Sequence, residues 1–100
     1  FVERQTALAQ QAWRWFEDHP DFSTPARPES NILCFAWRDW DEQHLALRDR
    51  LIAAGDFHLS TAQIAGRWHL RAVFMNPAAT MDDVERLAAE IAEMAGEMTG

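Results

Sequence analysis

The chain has 100 residues, which suits one domain with one hydrophobic core. Its 16 acidic residues outnumber nine arginines, and the net charge of −7 argues against a nucleic-acid partner, which needs a concentrated basic surface. No apolar run approaches the roughly 20 residues of a membrane span and no signal peptide is visible. We therefore expect a cytoplasmic protein that makes no membrane contact.

The first third of the chain predicts one helix and two strands. Apolar residues recur at helical spacing up to His19-Pro20, where proline ends the pattern. Residues 22–24 predict a short edge strand. Residues 31–37 are apolar at every position after the first, which is typical of a central strand covered on both faces. The only cysteine, Cys34, lies in this strand, which excludes an internal disulfide and predicts a small buried side chain.

A second helix is predicted in the middle of the chain. Asp39 or Asp41 can cap its beginning, and Gly55 can end it. Its apolar positions are Leu45, Leu47, Leu51, Ile52 and Ala54. His44 lies on the flank of this helix, where we expect a solvated side chain.

A β-hairpin follows, with strands at about 57–64 and 67–75 and a turn at Ala65-Gly66. In this register Ser60 lies opposite Arg71, and a slip of one residue would move every side chain to the other face. One face of the hairpin is then apolar, with Phe57, Leu59, Trp68, Leu70, Ala72 and Phe74 predicted to pack under helices. The opposite face carries Ser60, His69 and Arg71.

The last helix begins after an Asn76-Pro77 break, and Thr80 with Asp83 approximates a capping box. Its apolar stripe consists of Val84, Leu87, Ala88, Ile91 and Ala95. The order of elements and the short connections predict an α+β fold. We expect residues 1–100 to form a single domain, an antiparallel sheet of about four strands with about three helices on one face.

Arg71 is the strongest candidate for a site residue because a charge in mid-strand needs a partner. Its guanidinium is permanently charged and fork-shaped, which suits bidentate binding of a carboxylate. The alternative is an ion pair with a neighbouring acid, or a side chain that reaches solvent at the strand edge. Ser60 and His69 share its face and could line the same site, or could simply be polar surface residues. No zinc or phosphate-loop motif is present.

Two stretches resemble the C-terminal end of the group II pyridoxal-phosphate-dependent decarboxylases, which include glutamate, aromatic amino acid and diaminobutyrate decarboxylases. They are residues 66–80, Gly-Arg-Trp-His-Leu-Arg-Ala-Val-Phe-Met-Asn-Pro-Ala-Ala-Thr, and residues 28–38, Pro-Glu-Ser-Asn-Ile-Leu-Cys-Phe-Ala-Trp-Arg. The resemblance implies the small domain of a fold-type-I pyridoxal-phosphate enzyme. It also implies a role for Arg71, which matches the arginine that contacts the substrate α-carboxylate in the glutamate decarboxylase branch.

The chain contains no lysine, and pyridoxal phosphate needs a lysine amine for its covalent attachment. The resemblance therefore implies a C-terminal fragment of a larger homodimeric enzyme, as does a sequence that begins at Phe1 with helical patterning. The cofactor would be bound by the large domain of the same polypeptide, and none is expected in this fragment. The fragment should be inactive alone, and in the parent it should help close the active site over the amino acid substrate.

Two other functions stay open at this point. The chain could be a stand-alone α+β module that senses an amino acid through Arg71, or the small domain of a fold-type-I aminotransferase. The string Asn76-Pro77-Ala-Ala-Thr80 favours the decarboxylase.

Overall fold

A computed structural model describes residues 2–51 and 58–99 of the chain. Its elements in chain order are α1 Val2–Asp18, β1 Phe22–Ser23, β2 Ile32–Trp37, α2 Gln43–Leu51, β3 His58–Ile64, β4 Arg67–Val73 and α3 Met81–Thr99. The four strands form one sheet in the order β1-β2-β4-β3, and every neighbouring pair is antiparallel. This architecture confirms the predicted α+β fold. Within the described ranges, no helix has the length and apolar character that crossing a membrane requires.

The hairpin of β3 and β4 has the register that the sequence predicts. Ser60 pairs with Arg71, and Thr61 pairs with Leu70. The strands are joined by Ala65 and Gly66, whose φ angles are 53° and 79°. Two successive positive φ angles are the mark of a two-residue type I′ turn, whose twist matches that of the flanking strands. The turn therefore sets the register, and the register decides which side chains face the helices.

The helices cover one face of the sheet and form the core with it. Phe16 of α1 stacks on Phe35 of β2 with ring centroids 4.4 Å apart. The strands contribute Leu33, Phe35, Trp37, Leu59, Leu70 and Ala72 to this cluster. From α3 the predicted stripe of Val84, Leu87, Ala88, Ile91 and Ala95 is buried. Burial of apolar surface at about 25 cal/mol per Å² makes this face the main source of stability.

The α3 helix begins as the sequence predicts. The backbone N–H of Thr80 donates to the Asp83 carboxylate at 2.9 Å, which is one half of a capping box. Before it, the Asn76 side chain accepts a hydrogen bond from the N–H of Ala78 at 2.9 Å. This side-chain turn ends the extended segment after β4, which stops at Val73 rather than at Met75.

Three expectations for single residues were wrong or only partly right. The strand β2 is central, but Ile32 and Cys34 are only half-buried, whereas Leu33 and Phe35, which face the helices, are buried. Trp68 is half-buried and does not belong to the core cluster. Leu45 is 39% exposed because it lies on the outer side of α2. The predicted positions Ile52, Ala54, Gly55 and Phe57 lie outside the described residues.

His44 is buried, contrary to the expected solvated position. Its Nε2 accepts a hydrogen bond from the N–H of Trp37 at 3.0 Å, and its Nδ1 lies 2.9 Å from the carbonyl oxygen of Asp41. An Nε2 that accepts a hydrogen bond carries no proton, so Nδ1 is the donor to Asp41. Burial, the largest cause, lowers the pKa of His44. The ring therefore joins α2 to the end of β2 as a neutral group.

The predicted cap at Asp41 was also wrong, since its carboxylate binds the sheet. Asp41 Oδ1 accepts a hydrogen bond from the N–H of Trp68 at 2.6 Å. Nearby, the Arg67 guanidinium donates to the carbonyl oxygens of Trp40 and Arg38 at 2.9 Å and 2.6 Å. These contacts attach the loop between β2 and α2 to the first residues of β4.

Candidate functional site

The second face of the sheet, which we call the open face, carries the candidate site residues. It consists of Ile32, Cys34 and Ala36 on β2, His58, Ser60, Ala62 and Ile64 on β3, and Arg67, His69, Arg71 and Val73 on β4. None of the four described strands contains an aspartate or a glutamate. The chain as a whole is acidic, with a net charge of −7. Its described strands, in contrast, carry two arginines and no acidic side chain.

Arg71 lies near the middle of this face, with neighbours on both sides. It pairs with Cys34 on β2 and with Ser60 on β3. Its Nη1 donates to Ser60 Oγ at 3.4 Å, at the long end of hydrogen-bond range, and the residue is half-buried. Among the side chains that the structure describes, no carboxylate forms an ion pair with Arg71.

Three other arginines differ from Arg71 because each has a carboxylate partner. Arg38 pairs with Asp21, Arg48 with Asp49, and Arg86 with Asp83. A half-buried guanidinium has lost part of its hydration and is stabilised when an anion or several acceptors replace the water. The one serine oxygen beside Arg71 satisfies a single N–H of the five. The described residues therefore leave most of the N–H groups of this guanidinium without an acceptor, and a carboxylate would supply two.

Cys34 does not neutralise Arg71. Burial raises the pKa of the Cys34 thiol, and the nearby Arg71 charge lowers it by less. The thiol is therefore protonated at neutral pH and has no charge to offer the guanidinium. The sequence predicted a buried Cys34, and the structure makes it half-buried on the open face.

Ser60 and His69 lie on the same face as Arg71, as predicted, but their surroundings differ. Ser60 is half-buried and contacts Arg71 directly. His69 is only 6% exposed, and its Nδ1 lies 3.0 Å from the carbonyl oxygen of Arg67. The described contacts therefore join Ser60 to Arg71. His69 lies on β4, two residues before Arg71.

The described residues offer no ligand set for a metal, and the sequence offers no attachment point for pyridoxal phosphate. Within residues 2–51 and 58–99 no group of three or more histidine, cysteine or acidic side chains could hold a metal ion. The sequence has no lysine, so it offers no side-chain amine to the aldehyde of pyridoxal phosphate. The residues present therefore do not fit the covalent attachment of that cofactor.

A second feature, which the sequence did not reveal, is a cleft of about 250 Å³ between the end of β2 and α3. The guanidinium of Arg38 lies 4.8 Å from the centre of the Trp37 ring and binds Asp21 at 3.1 Å. Arg38 has a φ of 48°, an uncommon value for a residue with a side chain. Arg38, Trp37 and Asp21 line the cleft together with Trp40, Ala92, Ala95, Gly96 and Thr99. This cleft is built with α3, so it does not share the open face with Arg71.

The fold is similar to part of several solved decarboxylases. The glutamate decarboxylase domain of diaminobutyrate-pyruvate transaminase and L-2,4-diaminobutyrate decarboxylase from Vibrio parahaemolyticus matches with a TM-score of 0.85 and 24% identity, over 96% of this chain and 22% of that chain. Oryza sativa TDC, solved with PLP and tryptamine, matches with a TM-score of 0.79 and 19% identity, over 99% of this chain and 23% of that chain. Catharanthus roseus tryptophan decarboxylase, in complex with L-tryptophan, matches with a TM-score of 0.76 and 18% identity, over 96% of this chain and 22% of that chain.

No protein-family model matches the chain, and no curated protein matches its sequence. The chain spans 22–23% of the length of the three solved chains above. At these identities the likeness establishes the fold. The neighbours are decarboxylases of the group that the sequence resembles, so the resemblance is confirmed at the level of the fold.

Proposed function

We propose that this chain is the C-terminal small domain of a pyridoxal-phosphate-dependent amino acid decarboxylase, a carbon–carbon lyase. Three observations support the proposal: the two matching sequence stretches, the fold shared with decarboxylases, and the position of Arg71. The observation that carries it is Arg71 itself, a half-buried guanidinium with one serine contact and no described carboxylate partner. Every amino acid substrate supplies the group that Arg71 lacks.

In this proposal Arg71 binds the α-carboxylate of the substrate. A carboxylate accepts two parallel N–H bonds from a guanidinium, and such a pair fixes direction as well as distance. With the carboxylate held, the orientation of the α-carbon relative to the rest of the active site is also held. Ser60 and His69 would line the same site from neighbouring positions on the open face.

The cofactor and the reaction centre belong, in this proposal, to a large domain of the same polypeptide. That domain would cover the open face, and the parent enzyme would be a homodimer. Closure of the two domains would exclude water around the carboxylate, which strengthens the contact with Arg71. The absence of lysine supports this division, because the cofactor requires an amine that this chain does not contain.

The first experiment is Arg71→Ala in the full-length enzyme, assayed by CO₂ release from glutamate, 2,4-diaminobutyrate and tryptophan. Loss of one charge-assisted contact of about 1.5–3 kcal/mol should lower kcat/KM about ten- to hundredfold. Arg71→Lys should restore only part of the activity, since an ammonium cannot reproduce the fork. Arg38→Ala is the matched control, because it removes the same charge from an exposed residue that pairs with Asp21.

The outcome that would contradict the assignment is an Arg71→Ala enzyme that melts at a much lower temperature but turns over normally. Arg71 would then be a structural residue. An effect of equal size in Arg38→Ala would also contradict it, because the loss would follow from net charge rather than from the contact.

A second experiment separates a decarboxylase domain from a stand-alone amino-acid-binding module. The 100-residue chain is mixed with pyridoxal phosphate and the three amino acids. We expect no CO₂ and no saturable cofactor absorbance once the terminal amine is blocked. Tight binding of an amino acid by this chain alone, lost in Arg71→Ala, would favour the module instead.

A further inference from the structure

The hydroxyl of Ser60 has a hydrogen that its contact with Arg71 does not use. Arg71 Nη1 donates to Ser60 Oγ at 3.4 Å, so the serine oxygen is the acceptor in this pair. A serine hydroxyl has one donor in addition to its acceptor lone pairs. Among the described residues no acceptor is hydrogen-bonded to this O–H. Within residues 2–51 and 58–99 the donor therefore has no partner, and it lies beside the guanidinium of Arg71 on the open face.

We propose that Ser60 is a second ligand of the substrate carboxylate, donating its O–H to one carboxylate oxygen while Arg71 binds the same group. The proposal rests on the proposed function, since it assumes that the carboxylate binds at Arg71. It goes further by adding a contact from β3, on one side of the arginine. The carboxylate would then lie over the β3–β4 pair rather than over β2.

The residues that flank Arg71 favour a carboxylate on the β3 side of β4 over one on the β2 side. Cys34 and Ser60 occupy the same register on opposite sides of Arg71. A thiol is a weak donor, whereas a hydroxyl donates well to a carboxylate, and such bonds are among the strong ones. Both neighbours are small, so neither blocks access to the guanidinium from above the sheet. Only the serine side offers a good second donor.

The contact also explains how Arg71 is oriented before a substrate binds. Arginine has much rotamer freedom, and fixing it costs up to about 2 kcal/mol of conformational entropy. A hydrogen bond from Nη1 to Ser60 restricts that freedom and directs the remaining N–H groups. Ser60 is therefore both a positioning residue for Arg71 and a contact residue for the substrate.

The test is a set of three variants in the full-length enzyme. Ser60→Ala removes the hydroxyl, and Ser60→Thr keeps it. Thr61→Val is the matched control, because it removes the hydroxyl of the next residue, which points to the opposite face of β3. We expect Ser60→Ala to raise KM about tenfold, as one hydrogen bond to a charged group implies. Ser60→Thr should recover most of this loss, and Thr61→Val should leave KM unchanged.

A binding measurement without turnover gives the second readout. The probes are glutarate, 4-aminobutyrate and indole-3-propionate, the des-amino analogues of glutamate, 2,4-diaminobutyrate and tryptophan, titrated by calorimetry. Each keeps the carboxylate but lacks the α-amine. For the analogue that binds, we expect a Kd about tenfold weaker in Ser60→Ala. In Arg71→Ala, the additional change Ser60→Ala should still weaken binding, but by less than in wild type, because only the part of its effect that acts through Arg71 is already lost.

The two proposals fail in different ways. If Arg71→Ala leaves kcat/KM and the analogue Kd unchanged, the carboxylate does not bind at Arg71 and the roles of both Arg71 and Ser60 are overturned. If Arg71→Ala weakens both but Ser60→Ala matches wild type, only the role of Ser60 is overturned. That role is also overturned if Ser60→Thr is as impaired as Ser60→Ala, or if Thr61→Val is equally impaired.

Discussion

The two faces of the sheet differ although they share the same strands. On the covered face, Leu70 is completely buried against the helices and has apolar neighbours. One residue later on the open face, Arg71 is half-buried with a serine and a cysteine beside it. Because successive side chains of a strand point to opposite faces, neighbouring residues serve packing and binding separately. We therefore expect that substitutions on the covered face change stability and that substitutions on the open face change the proposed site.

The largest contrast should appear between Leu70→Ala and Arg71→Ala. Leu70→Ala removes buried atoms and leaves a cavity, which should lower the free energy of unfolding by about 2–5 kcal/mol. Arg71→Ala removes a half-buried side chain outside the core cluster that lacks a described counter-ion, so the change should be below about 1 kcal/mol. Urea denaturation of both variants gives the comparison. Equal destabilisation would show that the open face contributes to packing as the covered face does.

A smaller loss is expected from Asp41→Ala, which removes the carboxylate that accepts from the N–H of Trp68. That N–H lies near the beginning of β4 and would be left without its acceptor, at a cost of about 1–3 kcal/mol. Asp39→Ala is the control, because Asp39 is an exposed acid of the same loop. If both variants lose equal stability in the urea experiment, the effect comes from loop charge rather than from the bond.

A smaller effect, seen only as a pH dependence, is expected at His44. Its pKa is lowered in the fold, first by burial, with the nearby Arg67 and His69 charges in the same direction and Asp41 opposing them. The unfolded chain, with a histidine pKa of about 6.5, therefore takes up a proton more readily than the folded chain. Stability contributed by neutral His44 is present above about pH 6.5 and is lost as the pH falls below it.

The measurement for His44 is the free energy of unfolding at about pH 7.5 and pH 5.5. His44→Gln keeps an acceptor but cannot titrate, so its stability should change less between these two conditions. His58→Gln is the control, because His58 is exposed on β3. A wild-type protein that is equally stable at both pH values would contradict the buried neutral ring.

The smallest change should come from the hairpin turn. Ala65 has a φ of 53°, which is unfavourable for alanine and well tolerated by asparagine. Ala65→Asn gives the Asn-Gly pair that type I′ turns prefer, so we expect a gain of about 0.5–1 kcal/mol. Thermal melting of the variant measures it. Since neither face is altered, unchanged kinetics in the full-length enzyme should accompany the gain.

Much of the covered face could be predicted because it follows from periodicity. The spacing of apolar residues located the buried side of α3, and alternation around Ala65-Gly66 gave the register that pairs Ser60 with Arg71. Both patterns are local in sequence, and the backbone geometry of helices and strands converts them directly into faces. The site residues Arg71, Ser60 and His69 could be placed on one face for the same reason, while their roles remain proposals.

The contacts between polar groups of different elements became visible only in the folded chain. His44 looked like a flank residue and Asp41 like a cap, yet one binds Trp37 and the other binds Trp68. No spacing rule predicts such pairs. The first depends on how α2 packs against the preceding strand β2, and the second on how a loop lies against a strand residue 27 positions later. The half-exposed state of Cys34 has the same origin. An apolar strand indicates burial on both faces, but only the packed chain shows that its helices cover one of them.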